Sequence, residues 1–138
     1  MIKIGKEYHW EMSHRLQFYN GLCKNIHGHS YKMILELEGE TDDDGMLLDF
    51  YKIDEIVKPI LNEYDHSFVI YKNDIEVLQF LAESGFRSIV LDFNTTVENL
   101  AKHFANLFKS KFSQFENIDL FILKYSRHAM HMQKQKLS

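Results

Sequence analysis

The chain has a single cysteine and a single proline, and no run near the roughly 20 apolar residues that a membrane-spanning helix needs. One cysteine excludes an internal disulfide and points to a reducing compartment. Positive charge is not in excess either. The net charge is −4, which argues against a general nucleic-acid binder and against a protein held on an anionic membrane. Linkers, internal repeats and low-complexity tracts are lacking too. The length of 138 residues corresponds to one domain, residues 1–138, with a basic tail from about 127 to 138 that is expected to fray. Met1 to Glu7 carry charges where a secretory signal needs its apolar run. These absences predict a cytoplasmic soluble protein.

What is present is a clear periodicity. Ile2, Ile4, Tyr8, Trp10, Met12, His14 and Leu16 share one parity, interrupted by Lys6, and the polar residues between them share the other. A period of two predicts a long half-buried strand. His27, His29, Tyr31, Met33, Leu35 and Leu37 repeat the pattern in a second strand, joined to the first through a long loop, Gln17 to Ile26. Asp42 to Gly45 reads as a turn, and Asp49 as the N-cap of a helix running to Tyr64 through Pro59. A shorter helix, Asp74 to Ser84, stops at Gly85. Ser88 to Phe93 is a short strand. Thr95-Thr96-Val97-Glu98 reads as a capping box opening a helix to about Phe112, and Ile118 to Tyr125 is a last strand. The expected architecture is α+β: a four-stranded antiparallel sheet with helices on one face.

Eight histidines are many for this length. A lone histidine on an apolar strand face is most often a satisfied core residue. Here, however, His14 ends the apolar face of the first strand, while His27 and His29 begin that of the second. If the strands pair antiparallel, the three rings meet where the sheet face joins the loop. Three imidazoles at one place repel when protonated and compete for donors when neutral, and one divalent ion removes both problems. Zinc accepts three histidine nitrogens and leaves a fourth position open for chemistry. Gly28, between the two ligands, lets backbone approach closely. Cys23 has two readings: a fourth ligand closing a structural site, or a free thiol serving as base or nucleophile. Asp65-His66 reads either as a helix end with a surface histidine or as a proton-transfer pair. His9 and His103 read as surface residues.

Several motifs stand together in one order. They are Ser13-His14-Arg15-Leu16, Cys23-x3-His27-Gly28-His29-Ser30-Tyr31, Gly45 to Phe50, Asp65-His66, and Asn94-Thr95-Thr96-Val97-Glu98-Asn99. Together they resemble the 6-pyruvoyl-tetrahydropterin synthase family, which includes the bacterial 6-carboxy-tetrahydropterin synthases of queuosine biosynthesis. The short gap between Cys23 and His27 is similar to the 6-carboxy branch. The resemblance implies the tunnelling fold, in which subunit sheets join into a barrel, as a trimer or hexamer with active sites between subunits. It implies zinc on His14, His27 and His29, a free catalytic thiol at Cys23, and Asp65 and His66 as a catalytic pair. Thr96 and Glu98 match its substrate-binding positions. The implied substrate is 7,8-dihydroneopterin triphosphate, with Arg15, Lys24, Lys32 and Lys124 as candidates for its phosphates, and no nucleic acid or membrane as partner. Two positions depart from the family. Thr95 stands for a common proline, and Tyr125 stands where a glutamate holds the pterin's amino-pyrimidine edge. A phenol cannot accept two hydrogen bonds there as a carboxylate does. Three alternatives to a 6-carboxy-type lyase stay open: the pyruvoyl activity, a divergent aldolase-like paralogue, and a non-catalytic zinc- or pterin-like-ligand binder.

Overall fold

A computed structural model describes residues 1–127 and 131–137. The two alternating segments form β1 (Ile2–His14) and β2 (His27–Gly39), antiparallel, with Ile2 opposite Gly39 and His14 opposite His27. Their apolar parity buries Tyr8, Trp10, Met12, Tyr31, Met33, Leu35 and Leu37. Against that face pack α1 (Phe50–Tyr64) and, after the elements described next, α3 (Val97–Phe112). The first is capped by Asp49, whose carboxylate accepts from the Tyr51 amide at 2.9 Å, and it buries Ile53, Val57, Leu61 and Tyr64 at helical spacing. It runs on through Pro59, which is exposed.

Three expectations need correction. The sheet has six strands rather than four and is mixed, in the order β4-β3-β1-β2-β5-β6. β3 (Ser67–Tyr71) follows α1 directly, runs parallel to the end of β1, and leads through α2 (Ile75–Ser84) into parallel β4 (Ser88–Leu91). Ser67, Phe68, Val69 and Ile70 are all buried, so this strand has no alternation to reveal it.

Second, the helices do not share one face. Val69 joins the main core under α1 and α3, whereas Phe68 and Ile70 pack with Val77 and Leu81 of α2. Successive strand residues point to opposite faces, so α2 covers the other side of the sheet. Gly85 ends α2 in the left-handed conformation, φ 73°, that a Cβ would strain.

Third, the expected fraying tail is largely a strand. β5 (Ile118–Arg127) pairs antiparallel with β2 on one side and with β6 (His131–Leu137) on the other. His128, Ala129, Met130 and Ser138 lie outside the described residues.

Candidate active site

The β1–β2 register sets His14 directly across from His27, and Met12 across from His29. The three imidazoles therefore converge, with ring centroids 4.6, 4.8 and 5.2 Å apart and ligand atoms all within 4.8 Å of one another. Gly28 fits between them because a Cβ there would meet the Met12 carbonyl at 3.3 Å. Two of the rings have their Nδ1 atoms on main-chain carbonyls: His14 on Thr95 at 2.8 Å and His27 on Asn25 at 2.7 Å. A carbonyl can only accept, so each Nδ1 carries a proton, and in the neutral ring Nε2 is then the atom with the lone pair. Among the described residues, the buried His27 Nε2 has no hydrogen-bond partner. Such an atom is costly unless something electrophilic takes its lone pair. Three converging imidazoles, two of them with outer carbonyl partners, are a donor set that a zinc ion fits.

Cys23 sits in a single 3-10 turn, Leu22–Lys24, half-buried, and its carbonyl accepts from the Leu16 amide at 2.8 Å. Among the described residues the cluster that could hold a metal ion contains the three histidines and not the thiol. Asp65 and His66 join α1 to β3. Asp65 Oδ1 accepts from the Glu11 amide at 2.9 Å and lies 3.0 Å from His66 Nδ1. The Glu11 amide, with His66 and Arg87 adding, holds the Asp65 carboxyl below its ordinary range despite partial burial. His66 has φ 59°, the only left-handed non-glycine among the described residues, held there by its amide donating to the Glu11 carbonyl at 2.6 Å. Strain of this kind collects where a side chain must be aimed. The His66 ring borders an open recess of about 450 Å³ with Glu11, Ser13, Gly28 and Ser30, rimmed by Met12 and His29. Glu11, Ser13 and Ser30 have the parity opposite to that of His14 and His27. The Asp-His pair therefore faces away from the histidine cluster within one chain.

Other expected positions resolve differently. Thr96, not Thr95, is the N-cap of α3; its hydroxyl accepts from the Asn99 amide at 3.1 Å. The N-cap is thus one residue later than the spacing predicts, and Glu98 stands exposed in the first turn. Thr95 is buried against His14, a role invisible in sequence because the two are 81 residues apart. Arg15 is gripped by Asp74 through two bonds of 2.6 and 2.5 Å, Lys32 lies 2.9 Å from Glu7, and Lys124 lies 2.8 Å from Glu36. Three of the four phosphate candidates therefore have carboxylate partners, Lys24 being the fourth. His103 is not a surface residue. It is partly buried, hydrogen-bonded to the Tyr64 hydroxyl at 2.7 Å, and its pKa is pushed down by burial. Tyr125 is wholly buried opposite Met33, with its ring 5.4 Å from Tyr31, 5.5 Å from Phe104 and 5.8 Å from Trp10. It is a core aromatic.

A family model described as 6-pyruvoyl tetrahydropterin synthase matches residues 3–131. A 6-carboxy-5,6,7,8-tetrahydropterin synthase from Haemophilus influenzae is 32% identical over 117 residues, covering 79% of this chain and 83% of the relative. One from Rickettsia bellii is 32% identical over 129 residues, covering 88% and 94%. Among solved structures, an uncharacterized protein from Wolinella succinogenes superposes with a TM-score of 0.82 at 18% identity, covering 99% of this chain and 98% of the other. The 6-pyruvoyltetrahydropterin synthase of Plasmodium vivax superposes with a TM-score of 0.78 at 15% identity, with the same coverage. At such identities these two speak for the fold alone.

Proposed function

The chain belongs to the 6-pyruvoyl tetrahydropterin synthase family, and on that premise we propose that it is a zinc-dependent lyase acting on 7,8-dihydroneopterin triphosphate, of the 6-carboxy-5,6,7,8-tetrahydropterin synthase type. The observation that carries this reading is the convergence of His14, His27 and His29, two of them with Nδ1 on a main-chain carbonyl. When bound there, zinc would supply Lewis acidity toward the hydroxyls of the substrate side chain.

The chain's own groups move the protons. Cys23 serves as the base that takes a proton from the substrate side chain. Asp65 stays ionised because the Glu11 amide stabilises its charge, and it holds His66 through Nδ1. His66 Nε2 is then the atom left to give or take a proton. Thr96 and Glu98, beside Thr95 at the start of α3, are the positions for contacting the ring system.

The Asp-His pair and the histidine cluster face opposite sides of one sheet, so a complete site needs two copies. β1 has β3 beside it only at Met12 and Ser13. Among the described residues, Ile2 to Trp10 leave one strand edge open, and an open edge seeks a partner. A trimer or hexamer joined along such edges brings the pair of one copy to the metal of the next.

The test is to incubate purified, zinc-loaded protein with 7,8-dihydroneopterin triphosphate and follow 6-carboxytetrahydropterin by mass spectrometry. Absence of turnover with zinc bound sinks the proposal. The burial of Tyr125 favours one second reading, a related pterin whose amino-pyrimidine edge is not held by a carboxylate from β5. Turnover of another dihydropterin in the same assay, without turnover of the triphosphate, selects it.

A further inference from the structure

His14 is the deepest of the three clustered histidines, 1% exposed, and its Nδ1 meets two oxygens of the same residue. The Thr95 carbonyl lies at 2.8 Å and the Thr95 hydroxyl at 3.1 Å. Thr95 is itself 1% exposed, so no water competes for either contact. Its hydroxyl has a donor role as well, toward the Arg15 carbonyl at 3.4 Å. A hydroxyl proton directed at Arg15 leaves the oxygen lone pairs for His14 Nδ1–H. The Arg15 carbonyl is in turn held in place, because the Arg15 guanidinium is locked in a fork by Asp74, which is 3% exposed.

We infer that Thr95 is a positioning residue for His14: its carbonyl and hydroxyl together fix the ring's tautomer and tilt so that Nε2 is presented to a divalent ion. The inference rests on the reading of the histidine cluster as a metal site. The chain thereby ties three elements to one ligand. β1 supplies His14, the turn before α3 supplies Thr95, and Asp74 at the start of α2 steadies Arg15 between them. Thr95 has no capping duty of its own, since Thr96 fills that position, and among the described residues its buried hydroxyl meets His14 and Arg15.

Thr95→Val keeps shape and backbone but removes the hydroxyl, and Thr95→Ser keeps the hydroxyl. Cobalt(II) and zinc affinities are measured on the full chain by competition with a chelating dye, alongside the cobalt d–d spectrum and the melting temperature of the metal-free protein. Outer partners of metal-bound histidine typically contribute about 10–100-fold in affinity; with the carbonyl retained, Thr95→Val is expected to lose about tenfold. Its cobalt spectrum shifts, and Thr95→Ser restores both readouts. If Thr95→Val does not fold, Thr95→Ala, which cannot overpack, is expected to show the same loss. Wild-type affinity and spectrum in a folded Val or Ala variant overturn the role of Thr95 while leaving the metal reading intact. A wild-type chain that binds neither ion overturns both.

Discussion

Replacing Tyr125 by glutamate separates a core position from a substrate-contacting one. Its ring is wholly buried among Tyr31, Phe104 and Trp10 at 5.4, 5.5 and 5.8 Å. Truncating a buried aromatic costs about 3–5 kcal/mol, part of it from aromatic pairs worth about 0.5–1.5 kcal/mol each. A carboxylate in the same place adds desolvation, which it relieves by holding its proton. The expected loss for Tyr125→Glu at neutral pH is about 5 kcal/mol, against a total of about 5–15 kcal/mol for a typical domain. The comparison with Tyr125→Gln isolates the charge. The introduced carboxyl has a raised pKa when folded, so its extra penalty is absent below the unfolded value of about 4.3 and grows as pH rises through it. Urea unfolding of wild type, Tyr125→Glu and Tyr125→Gln at pH 4 and pH 7 measures this. A loss under about 1 kcal/mol at pH 7, with new affinity for a pterin, would refute the core assignment and mean that residue 125 faces an open pocket.

The metal cluster makes its own demand: Cys23→Ala should leave zinc content near wild type, while His27→Ala should lower it at least about tenfold, by elemental analysis after dialysis. Equal losses in the two variants would make the thiol a ligand. Burial depresses the pKa of His103, against a smaller opposing pull from Asp92, and His103 accepts from the Tyr64 hydroxyl in the neutral form. Its contribution to stability is thus present above the unfolded value of about 6.5 and is lost as pH falls below it. His103→Gln should flatten the stability–pH curve below about pH 6.5, and an unchanged curve would exclude this group. Asp74→Ala leaves the Arg15 guanidinium without its buried fork partner and should cost about 3 kcal/mol by chemical denaturation, the lower end for a broken buried pair because Arg15 is 13% exposed. A cost under about 1 kcal/mol would mean that the pair is dispensable.

The sequence by itself determined whatever a repeating side-chain pattern encodes. Alternation over Ile2–His14 and His27–Gly39 specified two strands, their buried face and, given antiparallel pairing, the meeting of His14, His27 and His29. Helical spacing and Asp49 specified α1, since a cap and an apolar stripe are local properties. Ser67–Tyr71 escaped because a strand buried on both faces has no period, and with it went the placement of α2 on the second face. His131–Leu137 escaped because a polar edge strand next to β5 exists only by pairing. Tertiary structure alone decided which groups act at a distance. Thr95 and Asn25 reach the clustered histidines through main-chain carbonyls, which every residue carries and no sequence pattern marks. It also decided that Tyr125 packs in the core, and that Asp65-His66 faces away from the histidine cluster, because the face of a residue depends on the strand it enters as well as on its identity.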